Sequence, residues 1–417
     1  MSMNDDNLKM VNRIGLVVCL SLVGDLSLFA VLPTHYMDVG ITLLNLGLVL
    51  SIHRLIRIPG NPLAGFLVDR WGRRKPFLLG TIFAFISTAS YGLVRGLMPL
   101  LAARVLWGVA WMFINISAFS MVIDLSQPHT RGTYTGRITA WYMIGLAAGP
   151  ILGGFLVDLL GFQTAMLLGS LFSVAGFFVA LFSIPETHWA GGEDFAPQTP
   201  APRSSLRHKL RALGAEVWMI FFLFLVVQFS GEGIILSTLS LKLQQTLAGR
   251  GGYLPGVIGI ATAGGLLLGF RSITSAISTP LLGSLSDTRL GRRGVVGGGI
   301  LCALAGFALL AVSSSLVTLI FGVLLTACGS GAVSAVIVAW LGDLVTPAQR
   351  GFVMGFYSTA GDIGSTLGPA LAYALIAADG LNNIYLLCAC LFALSLLVLW
   401  LPGLVRGLQG RMKKEAV

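Results

Sequence analysis

Charge is scarce in this 417-residue chain, where Asp, Glu, Lys and Arg together make up 11%. A water-soluble domain of that length needs far more ionised surface, so an ordinary soluble fold is excluded. Histidine is equally thin: five residues are scattered without a ligand cluster, and neither an HExxH helix nor a nucleophile elbow occurs. An enzyme reading therefore has no catalytic constellation to rest on, and no metal or cofactor is implied. The five cysteines, Cys19, Cys302, Cys328, Cys388 and Cys390, lack metal-ligand spacing and read as small buried hydrophobes. Long polar stretches are missing too. Only Pro185 to Arg211, rich in Pro and Gly, breaks the apolar sequence, which leaves no room for a soluble catalytic or ligand-binding domain.

What fills the chain is apolar: 55% of residues are hydrophobic, and the mean hydropathy is +0.86. Crossing about 30 Å of hydrocarbon takes roughly 20 helical residues. Runs of that kind fall near 12–35, 43–68, 77–95, 99–124, 132–157 and 161–183, and again near 215–241, 255–286, 295–313, 316–342, 352–377 and 381–402. The expectation is an all-α membrane protein of twelve spans, six before and six after a linker. The first span lacks a small-residue cleavage site and is expected to be retained.

The net charge of +10 raises the question of nucleic acid, and the positions of the 27 Lys and Arg answer it. With both termini in the cytoplasm, 19 fall in cytoplasmic segments, three outside (Arg95, Lys242, Arg250) and five within spans. That asymmetry is the positive-inside signature. The basic excess reflects topology and attraction to anionic lipid heads, and no nucleic-acid partner is expected. The basic end of the linker is expected to lie as a short helix on the inner membrane face.

The two sets of spans are copies. Gly65 to Arg74 reads GFLVDRWGRR, and Gly283 to Arg293 reads GSLSDTRLGRR. The offset is 218 residues at the Gly and Asp, and 219 from the Gly-Arg-Arg onward, because the second copy has one extra residue. At 219, Asp124 matches Asp343, Gly145 matches Gly364, and Gly149-Pro150 matches Gly368-Pro369. A register held through separate motifs marks an internal duplication.

Over essentially its full length the chain resembles the major facilitator superfamily. The resemblance rests on the GFLVDRWGRRKP loop after span 2 with its weaker copy after span 8, on Arg104-x-x-x-Gly108 in span 4, and on Gly145-x-x-x-Gly149-Pro150-x-x-Gly153-Gly154 in span 5. The Pro185-Glu186-Thr187 exit from span 6 fits as well. The resemblance implies two pseudo-symmetric six-helix bundles, 1–184 and 213–417, joined by a cytoplasmic linker at 185–212, with one chain as a complete transport unit. It also implies a cytoplasmic latch made by Gly65, Asp69, Arg73 and Asp124, with Asp287 in the second copy. In that latch Gly65 permits close helix contact and Asp69 meets the N-terminal end of span 11. The span 5 motif is associated in the family with exporters of drugs and metabolites, whereas its spacing alone shows only close helix packing through Gly145, Gly149, Pro150 and Gly154.

Ionisable residues within the spans carry the remaining information, because a charge at mid-bilayer costs roughly 2.5 to 3.5 kcal/mol on insertion scales. Asp25 and Glu232 lie mid-span in the equivalent spans 1 and 7. They are expected to face each other across a central cavity, and are the first candidates for proton coupling. Arg104, which fits the family's span 4 pattern, and Asp362, which faces Met143 in the duplicate register, are the next. Span 2 carries His53, Arg54 and Arg57. His53 lies 16 residues before Asp69, as Arg271 lies 16 before Asp287, which puts a basic residue at one depth in both halves. These cations either neutralise the carboxylates, bind an anionic group on a substrate, or snorkel outward. Asn115 and Tyr142 are further candidates for lining a cavity.

Two functions stay open at this stage. A proton-coupled antiporter exporting an amphipathic, anionic or zwitterionic small molecule is favoured by the span 5 motif. A proton-coupled symporter taking up an organic anion is favoured by the basic residues on spans 2 and 8. A channel fits duplicated halves around a midplane site less well. The expected partners are a small-molecule substrate, protons and the lipid bilayer, and the expected location is a cell membrane, as for a bacterial inner-membrane protein.

Overall fold

The structure, a computed structural model, is described over residues 3–127, 130–187, 213–248, 259–287, 290–346 and 350–415. Most of the linker, including its basic end, lies outside the described residues, as do Arg250 and the residues 347–349 that precede span 11. All regular structure among the described residues is helical. In chain order the helices are α1 (Met3–His35), α2 (Leu43–Leu55), α3 (Arg57–Trp71), α4 (Arg74–Leu93), α5 (Leu97–Leu125), α6 (Arg131–Leu160) and α7 (Phe162–Ser183). They are followed by α8 (Ala215–Gln228), a π-helical segment (Phe229–Ile235), α9 (Leu236–Ala248), α10 (Ile260–Ser286), α11 (Gly291–Val312), α12 (Leu316–Leu344), α13 (Arg350–Asp379) and α14 (Leu381–Glu415).

Eleven helical stretches among the described residues are long and apolar enough to cross a membrane. The expected eleventh span, 352–377, forms α13. Large apolar side chains point outward all along the chain, with Phe182 79%, Val312 77% and Leu93 70% exposed. In water such a surface would aggregate, whereas in hydrocarbon it is the favoured face.

Span 2 is one span made of two helices. Pro59 has no N–H to give to the carbonyl four residues back, and its ring crowds that carbonyl, so the helix breaks at Ile56 between α2 and α3. The break falls between Arg54 and Arg57. Span 7 is also interrupted, by the seven-residue π segment that carries Glu232. Lys242 departs from expectation: it does not sit in an outer loop but within α9, 3% exposed, because the helix runs on to Ala248.

The chain divides into two compact units. The first comprises Met1–Arg203, Ile235–Ile273 and Pro369–Ala377; the second comprises Ser204–Ile234, Thr274–Gly368 and Ala378–Val417. In the first, α1 packs on α5, α6 and α7, and α4 packs on α5 and α7. In the second, α11 packs on α12 and α14, the same pairing one repeat later. The tight turns repeat too: Gly161 (φ 77°) and Gly380 (φ 86°), 219 residues apart, hold the left-handed backbone that joins the last two helices of each set.

Glycines set the closest helix contacts. A methyl group on Gly149 would lie 2.7 Å from Leu26 Cβ and 3.1 Å from the Val23 carbonyl, so α6 rides directly on α1. Ser27 Oγ sits between the Val23 carbonyl of its own helix, at 2.7 Å, and the Gly149 carbonyl, at 3.0 Å, either of which can take its proton. Gly154 faces the other way and meets the Ala261 backbone of α10. The span 5 motif therefore packs on two helices at once, with small residues on both faces.

Candidate coupling and gating sites

Asp25 of α1 is 1% exposed and Arg104 of α5 is wholly buried. Their ion pair is the centre of a network drawn from four helices. Arg104 Nη1 donates to Asp25 Oδ1, and also to the Tyr91 hydroxyl at 3.0 Å. Its Nη2 donates to His53 Nδ1 at 2.6 Å, and its Nε to the Val49 carbonyl at 3.2 Å. Tyr91 Oη donates to Asp25 Oδ1 at 2.9 Å. Gly108 makes this possible: a methyl group there would lie 2.7 Å from the His53 carbonyl, so the glycine lets α5 close on α2 with Arg104 one turn away.

A buried ion pair is worth keeping only when the remaining lone pairs and protons are met, because desolvation rivals the Coulomb gain. Here Arg104 reaches four acceptors. The guanidinium cannot accept, so His53 Nδ1 must, which places the imidazole proton on Nε2. His53 is 4% exposed and turned to Arg104, which makes it a member of the network. Phe29 of α1 packs beside this cluster, with the Arg104 guanidinium 5.3 Å and that of Arg54 5.9 Å from its ring centroid, and the His53 ring edge-on at 5.9 Å.

Asp25 was expected to face a cavity shared with Glu232. Within the first unit its carboxylate is engaged by Tyr91 and Arg104, with Arg54 adding attraction from farther off. Glu232 is half-buried in the π segment. Asn115 on α5 and Asp362 on α13 are half-buried. Arg271 on α10 is 4% exposed. Tyr142 is half-buried and tilts against Trp111, which stacks on Trp107, forming an aromatic row along one face of α5.

The charged hairpin after α3 is held by ion pairs. Arg73 Nη1 pairs with Asp69, and Nε donates to Asp124 Oδ2 at 3.2 Å. Burial works against the charge on Arg73, but the two carboxylates outweigh it and hold the guanidinium pKa above its ordinary value. Glu186 completes the turn. Its Oε1 accepts from the Arg73 backbone N–H at 2.8 Å and its Oε2 from that of Arg74 at 3.1 Å, so a side chain from the end of α7 caps the start of α4. A methyl group on Gly72 would strike that carboxylate, and the residue also has φ 85°. Arg74 returns the contact by donating from Nη2 to the Leu181 carbonyl in the last turn of α7, at 2.6 Å. Among the described residues nothing lies within 4 Å of the place a Gly65 Cβ would take.

The second hairpin is built the same way. Arg292 pairs with Asp287, and its Nε donates to Asp343 Oδ2 at 3.2 Å, so the weaker motif keeps a full set of charges. Its added carboxylate comes from the other side of the linker: Arg293 Nη2 donates to Glu216 of α8 at 2.6 Å. At the opposite end of α6 from these hairpins, Asp158 Oδ2 accepts from the Thr262 backbone N–H at 2.6 Å and from its hydroxyl, which caps the first turn of α10.

Duplicated membrane-length helices, a wholly buried ion pair and a charged hairpin in each copy are the parts of a multi-pass solute carrier. The chain belongs to the Major Facilitator Superfamily, whose model matches residues 14–270 and 259–414. It is a transport protein and not an enzyme, a membrane-embedded secondary carrier that moves a small molecule by alternating access. Among its relatives is Major facilitator superfamily domain-containing protein 10 of Mus musculus, 26% identical over 375 residues, covering 85% of this chain and 78% of the relative. Multidrug resistance protein MdtG of Klebsiella pneumoniae is 27% identical over 369 residues, covering 86% and 84%. The crystal structure of the human organic anion transporter MFSD10 shares the fold, with a TM-score of 0.66, 20% identity, and coverage of 94% of this chain and 99% of that one.

Proposed function

We propose that this chain is a proton-coupled antiporter that exports an amphipathic organic anion or zwitterion. Its moving bodies are residues 1–184 and 213–417, its termini and both charged hairpins are cytoplasmic, and one chain is the working unit in a bacterial inner membrane. The observation that carries the reading is the Asp25–Arg104 pair, buried in a region where Arg54 and Arg57 also act electrostatically. A carboxylate held among guanidinium groups can exchange its role with an incoming anion: when the solute takes a cation, Asp25 is released to a proton. That exchange couples solute to proton at Asp25, without by itself setting the direction of transport. The names of two relatives point the same way, one to an organic anion and one to multidrug resistance. The span 5 motif does so as well. The Trp107, Trp111 and Tyr142 row offers an apolar body a place beside the charges.

Inverted membrane vesicles with an acidic lumen test this, using fluorescein as an aromatic organic-anion probe. Accumulation that a protonophore abolishes is expected. Asp25→Asn should lower driven accumulation by roughly 5–150-fold, the range of a coupling free energy of this kind, while fluorescein counterflow without a gradient survives. Glu232→Gln should lower it less. Uptake symport of an organic anion is the second reading, favoured by the buried Arg271 on α10 together with Arg54 and Arg57. Proton-driven uptake into right-side-out vesicles, with no accumulation in inverted ones, would establish it in place of antiport.

A further inference from the structure

Tyr91 has no part in the sequence motifs, yet it is wholly buried at the centre of the network. Its hydroxyl touches three groups: it donates to Asp25 Oδ1 at 2.9 Å, and it accepts from Arg104 Nη1 at 3.0 Å and from Ser87 Oγ at 2.9 Å. Ser87, buried one turn earlier on α4, has a second partner in the Ala103 carbonyl at 2.7 Å. A serine has one proton, so it can serve Tyr91 or Ala103 but not both at once.

That surplus acceptor gives the chain of hydroxyls two complete arrangements. With Asp25 ionised, Ser87 donates to Tyr91 and Tyr91 donates to the carboxylate. With Asp25 protonated, the carboxyl donates to Tyr91, Tyr91 turns its proton to Ser87, and Ser87 turns its own to the Ala103 carbonyl. Arg104 donates to the Tyr91 oxygen in both. The added proton resides on Asp25 throughout; each hydroxyl keeps its own and only rotates. No heavy atom has to move, and Tyr91 never lacks a donor or an acceptor. Inside a membrane bundle this matters, because a buried polar group left unpaired is costly in either protonation state.

We propose that Tyr91, backed by Ser87 and the Ala103 carbonyl, is the positioning residue that allows Asp25 to take up and return the coupling proton within the packed core. The inference rests on the reading of Asp25 as a proton carrier. The groups that act on Asp25 are Arg104 from α5, Tyr91 from α4 and Arg54 from α2; His53 of α2 joins them through Arg104, and Arg57 of α3 acts on His53. α9, which also packs on α1, carries Lys242. α7 carries no titratable side chain, and Arg131, Tyr134, Arg137, Tyr142 and Asp158 of α6 lie about two or more turns from Gly149, where that helix meets α1.

Infrared difference spectroscopy of the full-length protein in lipid, titrated with acid, tests the proposal without a substrate. The carboxyl band that disappears in Asp25→Asn reports the proton on Asp25. In Tyr91→Phe the ionised carboxylate loses a charge-assisted donor while the neutral form loses a weaker bond, so the band's midpoint should move toward alkaline pH by roughly one unit, a tenfold change in proton affinity. In Ser87→Ala the protonated arrangement loses its outlet, and the midpoint should move the opposite way by less. Opposite displacements are not expected from loosened packing alone. If the Asp25 band titrates at one pH in all three proteins, the role of Tyr91 is refuted while the carrier reading stands. If no band is sensitive to Asp25→Asn at any pH, the carrier reading fails and this inference with it.

Discussion

Asp25 and Glu232 occupy the same place in two copies of one packing scheme, and the copies have treated them oppositely. In the first, Gly149 of α6 presses against Val23 and Leu26, which bracket Asp25. In the second, Gly368 of α13 presses against Phe229 and Gly233, which bracket Glu232; a methyl group on Gly233 would lie 2.7 Å from the Gly368 Cα. Around that shared contact the polar groups diverge. Asp25 sits in a regular α-helix and pairs with Arg104, whereas the place matching Arg104 is held by Val323, 1% exposed. Glu232 sits instead in a π-helical turn. Duplication has preserved the packing surface and left the chemistry free to differ: one acid sits in a regular helix paired with an arginine, the other in an irregular backbone of a kind that often marks functional sites.

The strongest way to break the comparison is to remove its most asymmetric member. Arg104→Gln leaves Asp25 buried with its cation gone, and should cost about 3–5 kcal/mol of stability, read as a lowered thermal unfolding midpoint. The double variant Asp25→Asn with Arg104→Gln should recover much of that loss, since it leaves no charge stranded. A smaller effect tests the shared part. Gly149→Ala and Gly368→Ala each force a methyl group into a helix contact, and should destabilise by about 1–3 kcal/mol apiece. Similar losses at the two sites support equivalent packing; a loss at only one would show that the symmetry stops at the sequence. The smallest effect is expected for Asp158→Ala, an exposed cap on α10, at about 0.5 kcal/mol. Proteolysis or hydrogen exchange confined to the first turn of α10 would report it.

Much of this was legible in the sequence because membrane spans and positional repeats leave strong patterns. Asp69 and Asp124 both pair with Arg73, and the register that matches Asp124 with Asp343 points to the second hairpin, which is better preserved than its sequence suggests. Tyr91 and Ser87 were not legible: an aromatic residue in an apolar run reads as packing, and only its hydroxyl's surroundings say otherwise. Glu186 was visible as part of an exit motif, but not as the cap of a helix 112 residues away. The π segment left no periodic trace, since Gly231 and Gly233 beside Glu232 fit a close contact equally well. The partners of Asp25 were not legible, because depth along a helix can be counted from sequence, whereas the side a residue presents depends on how its neighbours pack.

Glu186 and Glu216 have a practical consequence. Each completes a charged hairpin, Glu186 at Gly72–Arg74 and Glu216 at Arg293, and between them runs the connection that joins the two sets of helices. Cutting the chain between these two glutamates takes neither from its hairpin. A single backbone cut there would leave each hairpin on one polypeptide with every charge it uses.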